Sequence, residues 1–131
     1  MPVRYFIDED RGLLVAQASG VFTHEEQIEK LTAIVEETQG AAFFMPHLYL
    51  VDRFISLHAL TFDDIVKIKE SMIALGRRYP GRNVRTAFVV TDEMHARFAR
   101  LWQALSETQG EVGSTIRLFN TEESAVAWLK G

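Results

Sequence analysis

The residues that could catalyse a reaction or hold a metal ion are scattered along this chain. Its four histidines, His24, His47, His58 and His95, include no pair at the spacing that places two metal ligands on one helix face. The chain contains no cysteine, which excludes disulfides, thiolate metal sites and thiol nucleophiles within it. We therefore predict no metal site and no cofactor, and we interpret the protein as a non-enzyme.

One carboxylate stands apart from the others. Three acidic pairs fall in the first turns of predicted helices, where the helix dipole stabilises negative charge: Asp63-Asp64, Asp92-Glu93 and Glu122-Glu123. Asp52 instead follows the apolar run 48–51, and open α/β sheets bind ligands at the carboxyl ends of such strands. Asp52 is therefore a candidate ligand or partner contact. If the non-catalytic interpretation were wrong, Asp52 and His58 would be the centre of the enzyme.

The densest positive charge lies in residues 77–85. The guanidinium groups of Arg77, Arg78 and Arg82 could converge there on an anion or on an acidic partner. The alternative is a solvated loop whose charges face water. We keep the three arginines as candidate ligand or partner contacts.

Residues 41–46 are unusually apolar for a segment between a predicted helix and a predicted strand. Connecting segments normally run over the surface and are polar. Phe43 and Phe44 must therefore pack into the core, contact another subunit or partner, or line a pocket. All three alternatives remain open at this stage.

Composition narrows the class of protein. The 131 residues are 47% hydrophobic and 24% charged, which is typical of a globular chain, and we predict one domain spanning residues 1–131. A net charge of −4 is poorly suited to binding the phosphates of nucleic acids. No apolar run is long enough to span a bilayer, and the N-terminus lacks a signal-peptide pattern. We expect a cytoplasmic protein that does not insert into membranes.

The elements that must position these residues follow an alternating order. Apolar runs at 3–8 and 13–19 are joined by a turn containing Gly12, and they predict an antiparallel hairpin. Later apolar runs alternate with amphipathic segments and predict parallel strands joined by helices. These later strands are predicted at 47–52, 84–90 and 115–119. The order ββαβαβαβα predicts an α/β fold, with a mixed, mostly parallel sheet flanked by four helices.

Capping residues mark where the predicted helices begin. Thr23 and Thr61 each stand three residues before an acidic side chain, which is the pattern of a capping box. As an N-cap, Thr61 would contribute about 1 kcal/mol to its helix. The apolar spacing predicts buried helix faces that include Phe62 on the second helix and Met94 on the third.

The order of elements and three short motifs resemble the STAS domain, and more closely the SpoIIAA-like bacterial proteins. The motifs are Gly20-Val21-Phe22-Thr23, Leu50-Val51-Asp52 and Leu60-Thr61-Phe62-Asp63-Asp64. The last predicted strand, which runs into Glu122-Glu123-Ser124-Ala125-Val126-Ala127-Trp128-Leu129, contributes to the same resemblance. The resemblance covers nearly the whole chain and implies the fold of an anti-sigma-factor antagonist. It also implies a non-enzymatic role in binding a protein partner, often a kinase-like anti-sigma factor.

In STAS domains a serine or threonine hydroxyl at the start of the helix after the third strand accepts a phosphate group. The resemblance implies Thr61 as the candidate phosphoacceptor, with Ser56 as a second candidate. The motif is degenerate in this chain. Leu60 replaces the usual Asp, and Asp63 stands where Gly is usual.

We therefore predict a non-enzymatic protein-binding or regulatory module similar to anti-sigma-factor antagonists, which also forms a homodimer. The alternative is a carrier of a small apolar, lipid-like ligand, because SpoIIAA-like proteins also resemble lipid-carrying domains in fold. In that alternative the pocket is expected among Phe43, Phe44 and the helix faces.

Overall fold

The computed structural model describes residues 3–57, 60–109 and 113–131. The strands are β1 (Val3–Asp8), β2 (Leu13–Ala18), β3 (His47–Val51), β4 (Val84–Val89) and β5 (Ser114–Phe119). The helices are α1 (His24–Glu37), α2 (Phe62–Arg78), α3 (Glu93–Gln109) and α4 (Glu122–Lys130), and a short 3-10 helix (Ala41–Phe44) precedes β3. The predicted order of strands and helices is confirmed.

The five strands form one sheet in the order β1-β2-β3-β4-β5. β1 and β2 pair as the predicted antiparallel hairpin, and its turn places Gly12 at φ +67°, a conformation that glycine adopts without strain. β2, β3, β4 and β5 are all parallel to one another. The sheet is therefore mixed and mostly parallel, as the sequence predicts.

Three helices cover one face of the sheet and one helix covers the other. The strand order advances in a single direction from β2 to β5, so right-handed crossovers place α1, α2 and α3 on the same face. α4 follows the last strand and packs on the opposite face, against β3, β4 and β5. We call these two sides of the sheet the α1–α3 face and the α4 face.

Successive side chains of each strand point to opposite faces of the sheet and so form two layers of core. In β2, Leu14 packs on the α1–α3 face, whereas Leu13 and Val15 pack on the α4 face. In β3, Leu48 faces α4, and its neighbour His47 points to the other side. A side-chain period of two therefore supplies both layers from the same strands.

The predicted capping box at the start of α2 is present. The Thr61 Oγ1 atom accepts a hydrogen bond from the Asp64 backbone N–H at 3.1 Å, and Asp64 Oδ2 accepts one from the Thr61 N–H at 2.8 Å. Thr23 caps α1 less tightly, because its Oγ1 accepts from the Glu26 N–H at 3.4 Å. These contacts satisfy backbone donors that the first turn leaves without helical partners.

The prediction of buried side chains was wrong at the start of two helices. Phe62 is 58% exposed and Met94 is 65% exposed. Both lie in first turns, which begin beyond the carboxyl ends of the strands, so no part of the sheet lies beneath them. Among the described side chains of α3, Ala96 and Ala99 are the buried ones.

None of the described helices has both the length and the apolar composition that crossing a bilayer requires.

Candidate functional site

A cavity of about 110 Å³ lies between the α1–α3 face of the sheet and the three helices that cover it. Its floor consists of alternate side chains of β3, β4 and β5, among them Tyr49 and Phe88, whose rings stack with centres 4.8 Å apart. Its roof includes Met72 of α2 and Trp102 of α3. Most of the described lining is hydrophobic. We call this space the helix–sheet cavity.

The contrast between small and large side chains explains why space remains there. Ala18 on the sheet and Ala99 on α3 line the cavity and leave volume that larger side chains would fill. The large rings of Phe88 and Trp102 line the same space. Protein interiors are otherwise close-packed, so a cavity of this size is a specific feature of the structure.

Five polar side chains form a group beside the cavity, and four of them line it. This inner polar cluster consists of Tyr5, Gln27, His47, Tyr49 and Arg82. The hydroxyl oxygens of Tyr5 and Tyr49 lie 2.6 Å apart, and the Nε2 atom of Gln27 donates to them at 2.8 Å and 3.2 Å. α1, β1 and β3 are thus joined by hydrogen bonds between side chains.

Arg82 enters the inner polar cluster from the segment before β4. Its Nε atom donates to the Phe43 carbonyl oxygen at 2.8 Å, and its guanidinium carbon lies 4.2 Å from the centre of the Phe43 ring. Its Nη2 atom lies 3.3 Å from Nε2 of His47. The guanidinium group is thus held in a defined orientation while it lines the cavity.

Burial sets the charge of the cluster. It raises the pKa of Tyr5 and of Tyr49, so both phenols stay neutral hydrogen-bonding groups. Burial, together with the positive charge of Arg82, lowers the pKa of His47 well below its usual value, so the imidazole is neutral at pH 7. Burial also lowers the pKa of Arg82 to about 10, which still leaves the guanidinium protonated.

Two buried polar atoms on residues that line the cavity have no hydrogen-bond partner among the described residues. They are Oε1 of Gln27 and Nδ1 of His95. Oδ1 of Asp92 lies 4.0 Å from Nδ1 of His95, which is too long for a hydrogen bond. Buried polar atoms in native proteins are nearly always satisfied, so a water molecule or a polar group of a bound molecule would complete the hydrogen bonding of these two atoms.

Phe43 and Phe44 have different environments although they are adjacent. Phe43 is 0% exposed and packs in the core beneath Arg82, whereas Phe44 is 44% exposed. Neither side chain is among the described residues that line the helix–sheet cavity. A role for Phe43 or Phe44 in ligand or partner contact stays a prediction.

The three candidate arginines do not converge. Arg77 and Arg78 are exposed at the end of α2, and Arg78 pairs with Glu36 at 3.1 Å. Arg82 is buried and turned into the protein. The helical end of α2 and the extended segment that follows it point their side chains in different directions, so proximity in sequence does not bring the charges together.

Asp52 lies exposed at the end of β3. Its Oδ1 atom accepts a hydrogen bond from the Phe54 backbone N–H at 2.7 Å, which shapes the following turn. His58, the residue that the sequence reasoning paired with Asp52, lies outside the described residues. A role for Asp52 in ligand or partner contact stays a prediction.

The two candidate phosphoacceptors lie near the same edge of the sheet. Thr61 is exposed, and its hydroxyl also donates to the Asp64 carboxylate at 3.0 Å. A phosphate group on Thr61 would lose this bond and meet the negative charge of Asp64. Ser56 is half-buried and forms a parallel bridge with Val21. Phosphorylation of Thr61 or Ser56 stays a prediction.

The sequence reasoning did not select the polar residues that line the cavity, apart from Arg82. Gln27, Tyr49 and Trp102 lie on α1, β3 and α3, and no short motif contains more than one of them. Gln27 lies four residues before the buried Leu31, on the same face of α1. A polar residue on the buried face of a helix is the local signal in the sequence that could have identified Gln27. Among the described residues, no group of three or more histidine, aspartate or glutamate side chains is arranged to hold a metal ion.

Comparison with known proteins identifies the fold. The sequence matches no protein-family model and no curated protein. It does match a solved structure, that of an uncharacterized protein from the DUF3478 family with a SpoIIAA-like fold, from Shewanella loihica PV-4. The two chains are 22% identical, the match covers 97% of this chain and 91% of that chain, and the TM-score is 0.56. The protein is thus an α/β domain with helices enclosing a cavity on one face of its sheet. Its fold is SpoIIAA-like, as the sequence resemblance implied.

Proposed function

We propose that the protein is a binding module that takes up a small, largely apolar molecule in the helix–sheet cavity without reacting with it. The observation that carries this proposal is the cavity of about 110 Å³ between the sheet and three helices. An engineered apolar cavity of about 150 Å³ in another protein binds benzene. The volume here therefore suits a single ring or a short alkyl chain.

The composition of the wall supports the same proposal. Small-molecule sites are usually apolar and contain a few polar groups that orient the ligand. Here aromatic and aliphatic side chains form most of the wall, and four residues of the inner polar cluster line the cavity as well. The SpoIIAA-like fold supports a non-catalytic role. The organisation as one domain and the cytoplasmic location stay predictions.

A larger side chain inside the helix–sheet cavity is expected to weaken the binding of an apolar ligand. Toluene is a suitable probe, because it is apolar and ring-sized. At a free toluene concentration ten times the dissociation constant, toluene should stabilise the wild-type protein against unfolding by about 1.4 kcal/mol. The variant Ala99→Leu adds a side chain to the buried face of α3 that lines the cavity, and it should weaken toluene binding at least about tenfold. Isothermal titration calorimetry and thermal unfolding measure both effects.

The control for this experiment is Ala104→Leu. Ala104 lies on the exposed side of the same helix, so the same substitution there adds the same atoms without entering the cavity. It should leave toluene binding within about twofold of the wild type. Equal toluene binding by Ala99→Leu and the wild type would contradict the proposal, as would a complete failure of toluene to bind the wild type.

A second candidate function is binding to a protein partner at the carboxyl edge of the sheet. Four apolar side chains are exposed at this edge, Val21, Phe54, Phe62 and Met94. They lie in the loops that follow β2 and β3 and in the first turns of α2 and α3, all of which meet at that edge. We call these four residues the apolar edge. Exposed apolar side chains grouped in this way are typical of interaction surfaces.

The charges beside the apolar edge favour a basic partner over a second copy of the chain. Acidic residues occupy the first turns of α1, α2 and α3, including Glu25, Asp63 and Glu93. Two copies would bring like charges together, whereas a surface with apolar side chains framed by lysine or arginine would complement them. The homodimer therefore stays a prediction, and the second candidate commits to a basic partner.

Affinity capture with matched baits tests this second candidate. The immobilised wild-type protein should capture a basic partner, and added salt should release it. The double variant Phe54→Ser and Phe62→Ser should capture at least about tenfold less of the same partner. Phe44→Ser is the control, because Phe44 is exposed at the opposite edge of the sheet, before β3. Identical sets of proteins captured by both variants would exclude the apolar edge as the binding surface.

A further inference from the structure

The hydrogen bonds of the inner polar cluster leave a donor and an acceptor unused. The Nε2 atom of Gln27 donates to the hydroxyl oxygens of both Tyr5 and Tyr49. The two phenol oxygens are 2.6 Å apart and share one hydroxyl hydrogen. Each phenol has one hydrogen, so the second has no acceptor among the described partners. The amide oxygen of Gln27 also has no donor within the part of the chain that the structure describes.

We infer that the molecule bound in the helix–sheet cavity carries a hydroxyl group, and that this group binds at Gln27 and Tyr49. This inference rests on the proposed function and names the class of its ligand, a small phenol or alcohol. Gln27 is only 5% exposed and lines the cavity together with Tyr49. The terminal torsion of a glutamine side chain is soft, so a small rotation brings Oε1 to a bound group.

A hydroxyl group is the smallest group that completes both ends of this network. It donates its hydrogen to Oε1 of Gln27 and accepts the spare hydrogen of the tyrosine pair. A methyl ether can only accept, and a carboxylate can only accept, so each would leave Oε1 without a donor. A hydrocarbon would leave both groups unsatisfied, and an unsatisfied buried polar group has a large free-energy cost.

The aromatic lining favours a ring as the rest of the molecule. Tyr49 and Phe88 form a stacked pair on the floor of the cavity, and Phe98 and Trp102 line it from α3. Aromatic side chains contact a ligand ring through stacked or edge-to-face geometry. A phenol therefore matches both the apolar wall and the unused hydrogen-bonding groups.

Titration with three probes tests the inference directly. Phenol and toluene have the same shape and the same number of non-hydrogen atoms, so their comparison isolates the hydroxyl group. Anisole has an ether oxygen that can only accept. Calorimetric titration of the wild type should show phenol binding about tenfold more tightly than toluene, and anisole binding no more tightly than toluene. Toluene binding without a phenol preference would overturn this inference and leave the proposed function standing, whereas failure of toluene to bind would overturn both.

Variants at Gln27 locate the preference. Gln27→Met keeps the length of the side chain and removes the amide, so the phenol preference should fall from about tenfold to none while toluene affinity stays within about threefold. Gln17→Met is the control, because Gln17 is exposed on β2 and should keep the preference. If Gln27→Met does not fold, Tyr49→Phe provides the second variant and should also lose the preference. An unchanged phenol preference in a folded variant would show that the hydroxyl group binds elsewhere.

Discussion

Replacing Phe43 with alanine is expected to lower the free energy of unfolding by about 4 kcal/mol. The Phe43 side chain is completely buried, and it contacts the Tyr79 ring with ring centres 6.4 Å apart. Its ring also lies beneath the guanidinium of Arg82, whose centre is 4.2 Å away. Alanine would therefore leave a large void and remove the aromatic face that holds a buried cation.

The matched control is the neighbouring residue. Phe44 is partly exposed, so Phe44→Ala should change the free energy of unfolding by less than about 1 kcal/mol. Urea denaturation followed by circular dichroism measures both variants under the same conditions. Similar costs for the two substitutions would show that Phe43 does not have the central position in the core that the structure gives it.

Replacing Gly113 with alanine is expected to lower the free energy of unfolding by about 3 kcal/mol. Gly113 has φ +70°, which strains any residue with a Cβ atom, and its carbonyl accepts a hydrogen bond from Val84 at the start of β4. A Cβ atom there would lie 2.5 Å from the backbone oxygen of Arg82, which no side-chain rotation can relieve. Arg82 and Ser114 both line the helix–sheet cavity, so we also expect weaker toluene binding.

Gly76 provides the control for this substitution. It lies within α2, and a Cβ atom built on it would have no neighbour within 4 Å. Gly76→Ala should therefore stabilise the protein by roughly 0.5–1 kcal/mol, because alanine restricts the unfolded chain without strain in the helix. Thermal and urea unfolding should give opposite signs for the two variants. A loss of stability in Gly76→Ala similar to that of Gly113→Ala would contradict this description of the Gly113 backbone.

Local patterns were sufficient to predict the fold class. The apolar runs of β3 and β4 and the capping residue Thr61 are properties of a few consecutive residues, and each predicted the element that the structure contains. Alternation of strands with helices then restricted the sheet to a mostly parallel one with right-handed crossovers. Periodicity was less informative at helix ends, where Phe62 and Met94 fit the apolar spacing but extend past the sheet.

The candidate site depended on tertiary structure. Whether Phe43 or Phe44 enters the core is decided by the 3-10 turn between α1 and β3, which the sequence reasoning treated as a loop. The charge of Arg82 was visible in the sequence, but its inward direction was not.

The sequence by itself determined the order of the elements, their caps and the mixed sheet, because each depends on neighbours along the chain. Only the tertiary structure decided where the cavity lies and which side chains surround it. The cavity depends on the distance between the sheet and the helices, which is set by side chains as far apart in the chain as Gln27, Phe88 and Trp102. No pattern among adjacent residues can encode that distance, since it results from packing all of these side chains together.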